Sequence, residues 1–163
     1  MDLSFYRRQP PANIFNIFVP ITATDDVYPA IFDMNMIGNG CGAIMPAGVR
    51  SELSGIGWIP GNVNSIIDIA IVWFVANSNI NRFKGEFGIF SGQNLDQYHD
   101  IEIQTPFDFT DTTKEIIQIT KMDADLGPSI GTIEKNSFCT MQVIRTTTAT
   151  EEVTLMGFLI YIS

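Results

Sequence analysis

Apolar residues recur at every second position through much of this chain, the period of a pleated strand whose side chains point alternately to two faces. The clearest run is residues 65–76, SIIDIAIVWFVA. One parity carries Ile67, Ile69, Ile71, Trp73 and Val75; the other carries Ile66, Asp68, Ala70, Val72, Phe74 and Ala76. With both parities apolar, and β-branched and aromatic residues dominant, the run predicts a central strand covered on both sides, by a partner sheet and by a loop or another subunit. Residues 82–91 set Phe83, Gly85, Phe87 and Ile89 against Arg82, Lys84, Glu86, Gly88 and Phe90, a strand with one polar face. Shorter runs at 13–19, 27–33, 49–53, 97–104 and 114–121 read as further strands.

Two long runs, 136–145 and 151–162, close the sequence, and the short link at 146–150 predicts that they form a hairpin. In the last run Val153, Leu155, Gly157, Leu159 and Tyr161 oppose Thr154, Met156, Phe158, Ile160 and Ile162. Both parities are again apolar, which predicts a strand at the centre of a sheet or at an interface. The Gly-rich residues 38–48 read as a loop with a short central strand. Residues 54–63, SGIGWIPGNV, read as a loop or broad turn, because glycine and proline are turn residues. No amphipathic helix stands out. The pattern predicts an all-β fold, a jelly-roll β-sandwich of eight or nine antiparallel strands at 14–163. Residues 1–13 precede it as an extended arm. The arm carries Phe5, Tyr6, Arg7 and Arg8, and its consecutive Pro10 and Pro11 forbid a helix.

Composition adds a second constraint. Charged residues are 17% of the chain, below the ~25% usual in soluble domains, which argues for extra buried surface within or between subunits. Twelve Phe, two Trp and four Tyr supply large side chains for it. Nine Lys and Arg stand against eighteen Asp and Glu, a net charge of −9. That balance weighs against nucleic acid as a partner, which needs a basic face, and against an anionic membrane surface. The longest apolar run contains Asp68 and falls short of the ~20 residues that span a bilayer. No apolar leader follows Arg7 and Arg8, so synthesis in a cytosol without a secretion signal is the expectation.

The residues that carry chemistry are sparse. His99 is the single histidine and neighbours Asp100 in a strand, where adjacent side chains point apart. Neither a GxSxG elbow nor a phosphate-binding glycine loop is present. Asp25 with Asp26, Asp108 with Asp111, and Asp123 with Asp125 fall in expected turns, where Asp bonds its own backbone. Asp123, Asp125 and Glu134 have part of the spacing of a calcium loop, but Pro128 and the position of Gly127 break it. Cys41 and Cys139 form no CxxC pair, and Cys139 in an apolar strand reads as a buried free thiol. The expectation is a protein that binds and assembles, with no catalytic residues, metal or cofactor.

From residue 49 onward the order of features resembles small jelly-roll virion proteins of tailed bacteriophages. It runs through the turn Trp58-Ile59-Pro60-Gly61, the strand IDIAIVWFVA, an Asn-rich turn, the strand RFKGEFGIF and a closing strand GFLIYIS. Trp58, Pro60, Trp73, Gly157 and Tyr161 are the corresponding positions, and all are structural. The resemblance implies a capsid decoration (cement) or fibre-type protein, a homotrimer docked on the major capsid protein or another virion protein. The arm lies outside the resemblance; its own extended, aromatic and basic character makes Phe5, Tyr6, Arg7, Arg8, Pro10 and Pro11 the candidate docking segment. Trp58, Trp73, Phe74, Phe158 and Tyr161 are the candidate oligomer interface or core. Two alternatives come from the residues themselves: a carbohydrate-binding jelly roll using Trp58, Tyr98 and nearby acids, and a filament subunit held by strand exchange.

Overall fold

A computed structural model of the chain describes residues 15–24, 31–37, 40–75, 81–92, 101–111, 117–122 and 126–163. The arm at 1–13 lies outside the described residues, as do Tyr98, His99, Asp100, Asp25, Asp26, Asp123 and Asp125. Two antiparallel sheets face each other. The six-stranded sheet has the order β3 (Ile31–Ile37), β4 (Gly40–Met45), β11 (Val153–Ile162), β6 (Ile66–Phe74), β9 (Gln118–Lys121), with β1 (Phe15–Pro20) also paired to β11. The five-stranded sheet has the order β2 (Ala23–Thr24), β5 (Ser51–Ile59), β10 (Ser137–Arg145), β7 (Asn81–Gly92), β8 (Ile101–Asp111). A 3-10 turn occupies Gly127–Thr132. Apart from the consecutive pairs β3–β4 and β7–β8, neighbouring strands are non-consecutive, which makes this a jelly-roll-type β-sandwich, the architecture expected from the alternation.

The last strand lies mid-sheet: β11 pairs with β6 along one side and with β4 and β1 along the other. The two closing runs do not form the expected hairpin. β10 pairs with β5 and β7 in the opposite sheet, so residues 146–150 carry the chain from one sheet to the other. Arg145 sits at this crossing, fully buried. Its Nη1 donates to Met45 O at 2.9 Å and its Nη2 to Glu151 O at 2.7 Å, tying the end of β4 to the start of β11.

Residues 54–59 are strand, not loop. Gly55 and Gly57 are there for packing: a Cβ on Gly55 would stand 2.5 Å from Pro20 O, and one on Gly57 would stand 2.6 Å from Val19 Cγ2. Bare glycine lets β1 of one sheet lie against β5 of the other. Asp108 and Asp111 are likewise in strand, not turn, because β8 runs on through Pro106 to pair with β7 along its whole length. Pro106 is tolerated there because β8 is the last strand of its sheet, where a missing N–H breaks no ladder.

The core lies between the sheets. Trp73 is 1% exposed, and its Nε1 donates to Thr120 Oγ1 at 2.9 Å. Phe83 packs 5.1 Å from it and 4.9 Å from Phe107, and Phe158 packs 5.9 Å from Phe87 across the sandwich. These centroid spacings are those of favourable aromatic pairs. The other face of β6 is also covered within the single chain, since Ala70, Val72 and Phe74 are buried outside the core cluster. Its two apolar parities therefore need no second subunit.

Candidate functional site

The outer face of the five-stranded sheet is built by one parity of four strands. On β5 it takes Glu52, Ser54, Ile56 and Trp58; on β10 Phe138, Thr140, Gln142 and Ile144. On β7 it takes Arg82, Lys84, Glu86, Gly88 and Phe90; on β8 Glu102, Gln104, Pro106 and Asp108. Register stacks these into rows across the sheet. Trp58 lies opposite Phe138, Thr140 opposite Phe90, and Gly88 between Gln142 and Gln104.

The aromatic end of this face is open to solvent. Trp58 is 40% exposed, Phe138 56% and Ile56 52%, unlike Trp73 in the core. The Trp58 and Phe138 rings meet edge to face, with centroids 4.8 Å apart and planes at 68°. Phe90, half-buried, lies one row further on the diagonal from Phe138, and its ring leans over Gly88, where a Cβ would stand 3.1 Å from Phe90 Cε2. Three aromatic rings thus run across β5, β10 and β7, two side by side and the third one row on.

Beside them lie amides held by carboxylates. Gln142 Nε2 donates to Glu52 Oε1 across the strands, and Gln104 Nε2 donates to Glu102 Oε1 at 2.6 Å. At the other end of the face Arg82 grips Asp108 with both nitrogens, Nε to Oδ1 at 2.7 Å and Nη2 to Oδ2 at 2.5 Å. This hydrogen bonding holds the Asp108 carboxyl below its ordinary range and raises the Arg82 guanidinium. Flat rings next to fixed polar groups on a rigid sheet make a surface that can stack the apolar face of a ring-shaped polyol and hydrogen-bond its hydroxyls.

The outer face of the six-stranded sheet has a different character. Lys121 Nζ lies 3.3 Å from Asp68 Oδ2 and 4.9 Å from the Tyr161 ring centroid. Asp68 Oδ1 accepts from Ile69 N at 2.7 Å, so this cluster fixes β6, β9 and β11 to one another. A shallow cleft of about 460 Å³ opens at one end of the sandwich among Phe15, Pro60, Asn62, Asn64 and Ile162.

The residues singled out from sequence are dispersed. Trp73 and Phe158 are in the core, Phe74 is buried on the outer side of β6, and Tyr161 is half-buried on the outer side of β11. Trp58 alone among them is on the outer face of the five-stranded sheet. The arm residues Phe5, Tyr6, Arg7, Arg8, Pro10 and Pro11 lie outside the described residues. Phe138, Gln142, Gln104 and Glu52 were not singled out. The signal was there for Phe138, an aromatic on the same parity as Thr140 and Gln142. Cys139 is buried and free, and burial pushes its thiol up to about 12. Among the described residues no three His, Cys, Asp or Glu side chains gather as a metal site, and no helix is long and apolar enough to cross a membrane.

The sequence matches no protein-family model and no curated protein. The fold belongs to the antiparallel β-sandwich class. The chain is similar to part of the Arthrobacter globiformis isomalto-dextranase complexed with panose, with a TM-score of 0.50 and 10% identity over 90% of this chain. It spans 23% of that protein's length. A family 11 carbohydrate-binding module from Clostridium thermocellum, in complex with a mixed-linked β-glucan tetrasaccharide, aligns with a TM-score of 0.46. Identity there is 8%, over 94% of this chain and 91% of the module. A family 29 carbohydrate-binding module aligns with a TM-score of 0.38 and 10% identity, over 91% of this chain and 88% of that one. At such identities the first likeness speaks to the fold alone.

Proposed function

We propose that the outer face of the five-stranded sheet binds carbohydrate. The observation that carries this reading is the open Trp58–Phe138 pair, continued by Phe90 and set beside Gln142 and Gln104. Soluble domains bury large aromatics where they can, and an exposed cluster of them on a flat face marks a contact surface. Hydroxyl-bearing rings need both features at once, an apolar plane to cover and polar groups at its rim. A sandwich of the same class forms part of an enzyme complexed with panose, which is in keeping with the reading. Isothermal titration of the protein with neutral oligosaccharides tests it: saturable binding, lost in Trp58→Ala, is the expected result. No binding across a broad glycan panel contradicts it.

A second reading is favoured by the same patch. Ile56, Trp58 and Phe138 are contiguous and apolar, and Trp is enriched among residues that dominate protein interfaces. Under this reading the domain is a virion structural protein whose copies meet through that face. Light scattering separates the two. A stable trimer that Phe138→Ser dissociates supports assembly, and a monomer at micromolar concentration supports the open binding face.

A further inference from the structure

The same face carries information about which glycans it takes. We infer that it selects uncharged chains, with Gln142 and Gln104 presenting their carbonyl oxygens to sugar hydroxyls, and that it turns away uronate- or sulfate-bearing chains. The inference rests on the carbohydrate-binding reading and deepens it.

A free glutamine amide offers either end to a ligand, two N–H donors or a carbonyl acceptor. Here the choice is made by neighbours. Glu52 takes an N–H of Gln142, and Glu102 takes an N–H of Gln104. A carboxylate accepts only, so each amide turns its nitrogen toward the acid and its oxygen away. For Gln142 the oxygen points to the centre of the sheet, 3.6 Å from where a side chain at Gly88 would begin. Gly88 is the in-register neighbour of both amides. Phe90's ring lies against the same glycine. The row Gln142–Gly88–Gln104 thus offers oriented acceptors next to an aromatic ring, which suits a ligand rich in O–H donors with an apolar ring face.

Charge decides the rest. Glu86 on β7 and Glu52 opposite Ile144 lie one row to one side of Gly88, and Glu102 lies one row to the other. One row is two residues, or ~7 Å along a strand. Lys84 is two rows away, ~14 Å, and Arg82 three rows away in its bidentate pair with Asp108. At physiological salt the screening length is ~8 Å. Arg50 Nη2 lies 3.9 Å from Glu52 Oε2 and offsets that acid. An anion over Gly88 therefore feels chiefly Glu86 and Glu102, one row away on either side, and is screened from Lys84 and Arg82.

The test is a titration of the full chain with neutral soluble glycans (mixed-linked β-glucan, dextran and mannan) and with polygalacturonate and heparin as anionic probes. The expected result is binding to at least one neutral glycan and at least tenfold weaker binding to both polyanions. Gln142→Leu and Gln104→Leu, with melting temperatures unchanged, are each expected to weaken neutral binding at least tenfold. Glu86→Lys with Glu102→Lys is expected to bring polygalacturonate binding up at least tenfold. Polygalacturonate or heparin bound as tightly as the neutral glycans overturns the selectivity while leaving the carbohydrate reading intact. Neutral binding untouched by both Leu variants overturns the acceptor role. Failure of every glycan to bind overturns the carbohydrate reading itself.

Discussion

Val19 Cγ2 occupies the place, 2.6 Å away, that a side chain on Gly57 would need. The contact joins β1 of one sheet to β5 of the other and explains why a strand in a sandwich carries Ser-Gly-Ile-Gly. Gly57→Val is expected to destabilise the fold by ~1–3 kcal/mol through overpacking. Val19→Ala in the same chain is expected to recover part of that loss, because the two side chains compete for one space. Urea unfolding of the two single variants and the double variant measures it; strictly additive losses count against the contact.

Arg145 is the second joint between the sheets. Burial lowers its guanidinium to about 10, yet its two bonds to Met45 O and Glu151 O hold the 146–150 crossing. Arg145→Met leaves two buried carbonyls without this donor and is expected to cost ~1–3 kcal/mol. Arg145→Lys is not expected to restore it, since one ammonium on a flexible stem does not replace a planar fork. Full stability of the Lys variant in urea titration contradicts the argument.

Cys139 sets a pH dependence. Its thiol is raised from 9.0 to about 12 by desolvation, so the folded protein holds a proton that the unfolded chain has released above pH 9. Stability from this site is intact below pH 9 and is lost as pH rises toward 12, at about 1.4 kcal/mol per unit. Arg145 works in the opposite sense above pH ~10, because the unfolded chain keeps its proton longer. Comparing wild type with Cys139→Ala isolates the thiol. The variant's unfolding free energy is expected to fall less steeply between pH 9 and 10. Parallel curves refute a protonated buried thiol.

Much of the sandwich was legible from the strand period. β6 and β11 are apolar on both parities, and both are flanked by strands on either side, with β6 buried on both faces inside one chain. Three things were hidden. Gly55 and Gly57 look like turn residues because sequence does not show what packs against a bare backbone. Residues 146–150 look like a hairpin turn because a short link does not reveal whether the next strand stays in the same sheet. Asp108 looks like a turn acid because its partner, Arg82, lies on another strand. The candidate face was half legible. Trp58 was noticed as an aromatic of the 54–63 segment, but Phe138, Gln142, Gln104 and Glu52 become one surface only through the registers of β5, β10, β7 and β8.

The Gln–Glu pairs give a further check on that surface. Glu52→Ala frees the Gln142 amide to rotate, whereas Gln142 and its fold neighbours stay in place. Glycan affinity is expected to drop severalfold; because Glu52 is half-buried and also pairs with Arg50 at 3.9 Å, stability is expected to fall by no more than ~1 kcal/mol. An affinity equal to wild type, measured by titration calorimetry, removes Glu52 from the account.

The central claim is that the Trp58–Phe138 face holds sugar. A glycan array probed with the wild-type protein and with the Trp58→Ala, Phe138→Ala double variant addresses it directly. Both positions are exposed, so the variant is expected to fold and melt like the wild type while losing its array signal. Wild-type binding to neutral glycans that vanishes in the double variant is the predicted result. A wild-type protein that binds no glycan, or a double variant that binds as well as the wild type, contradicts it.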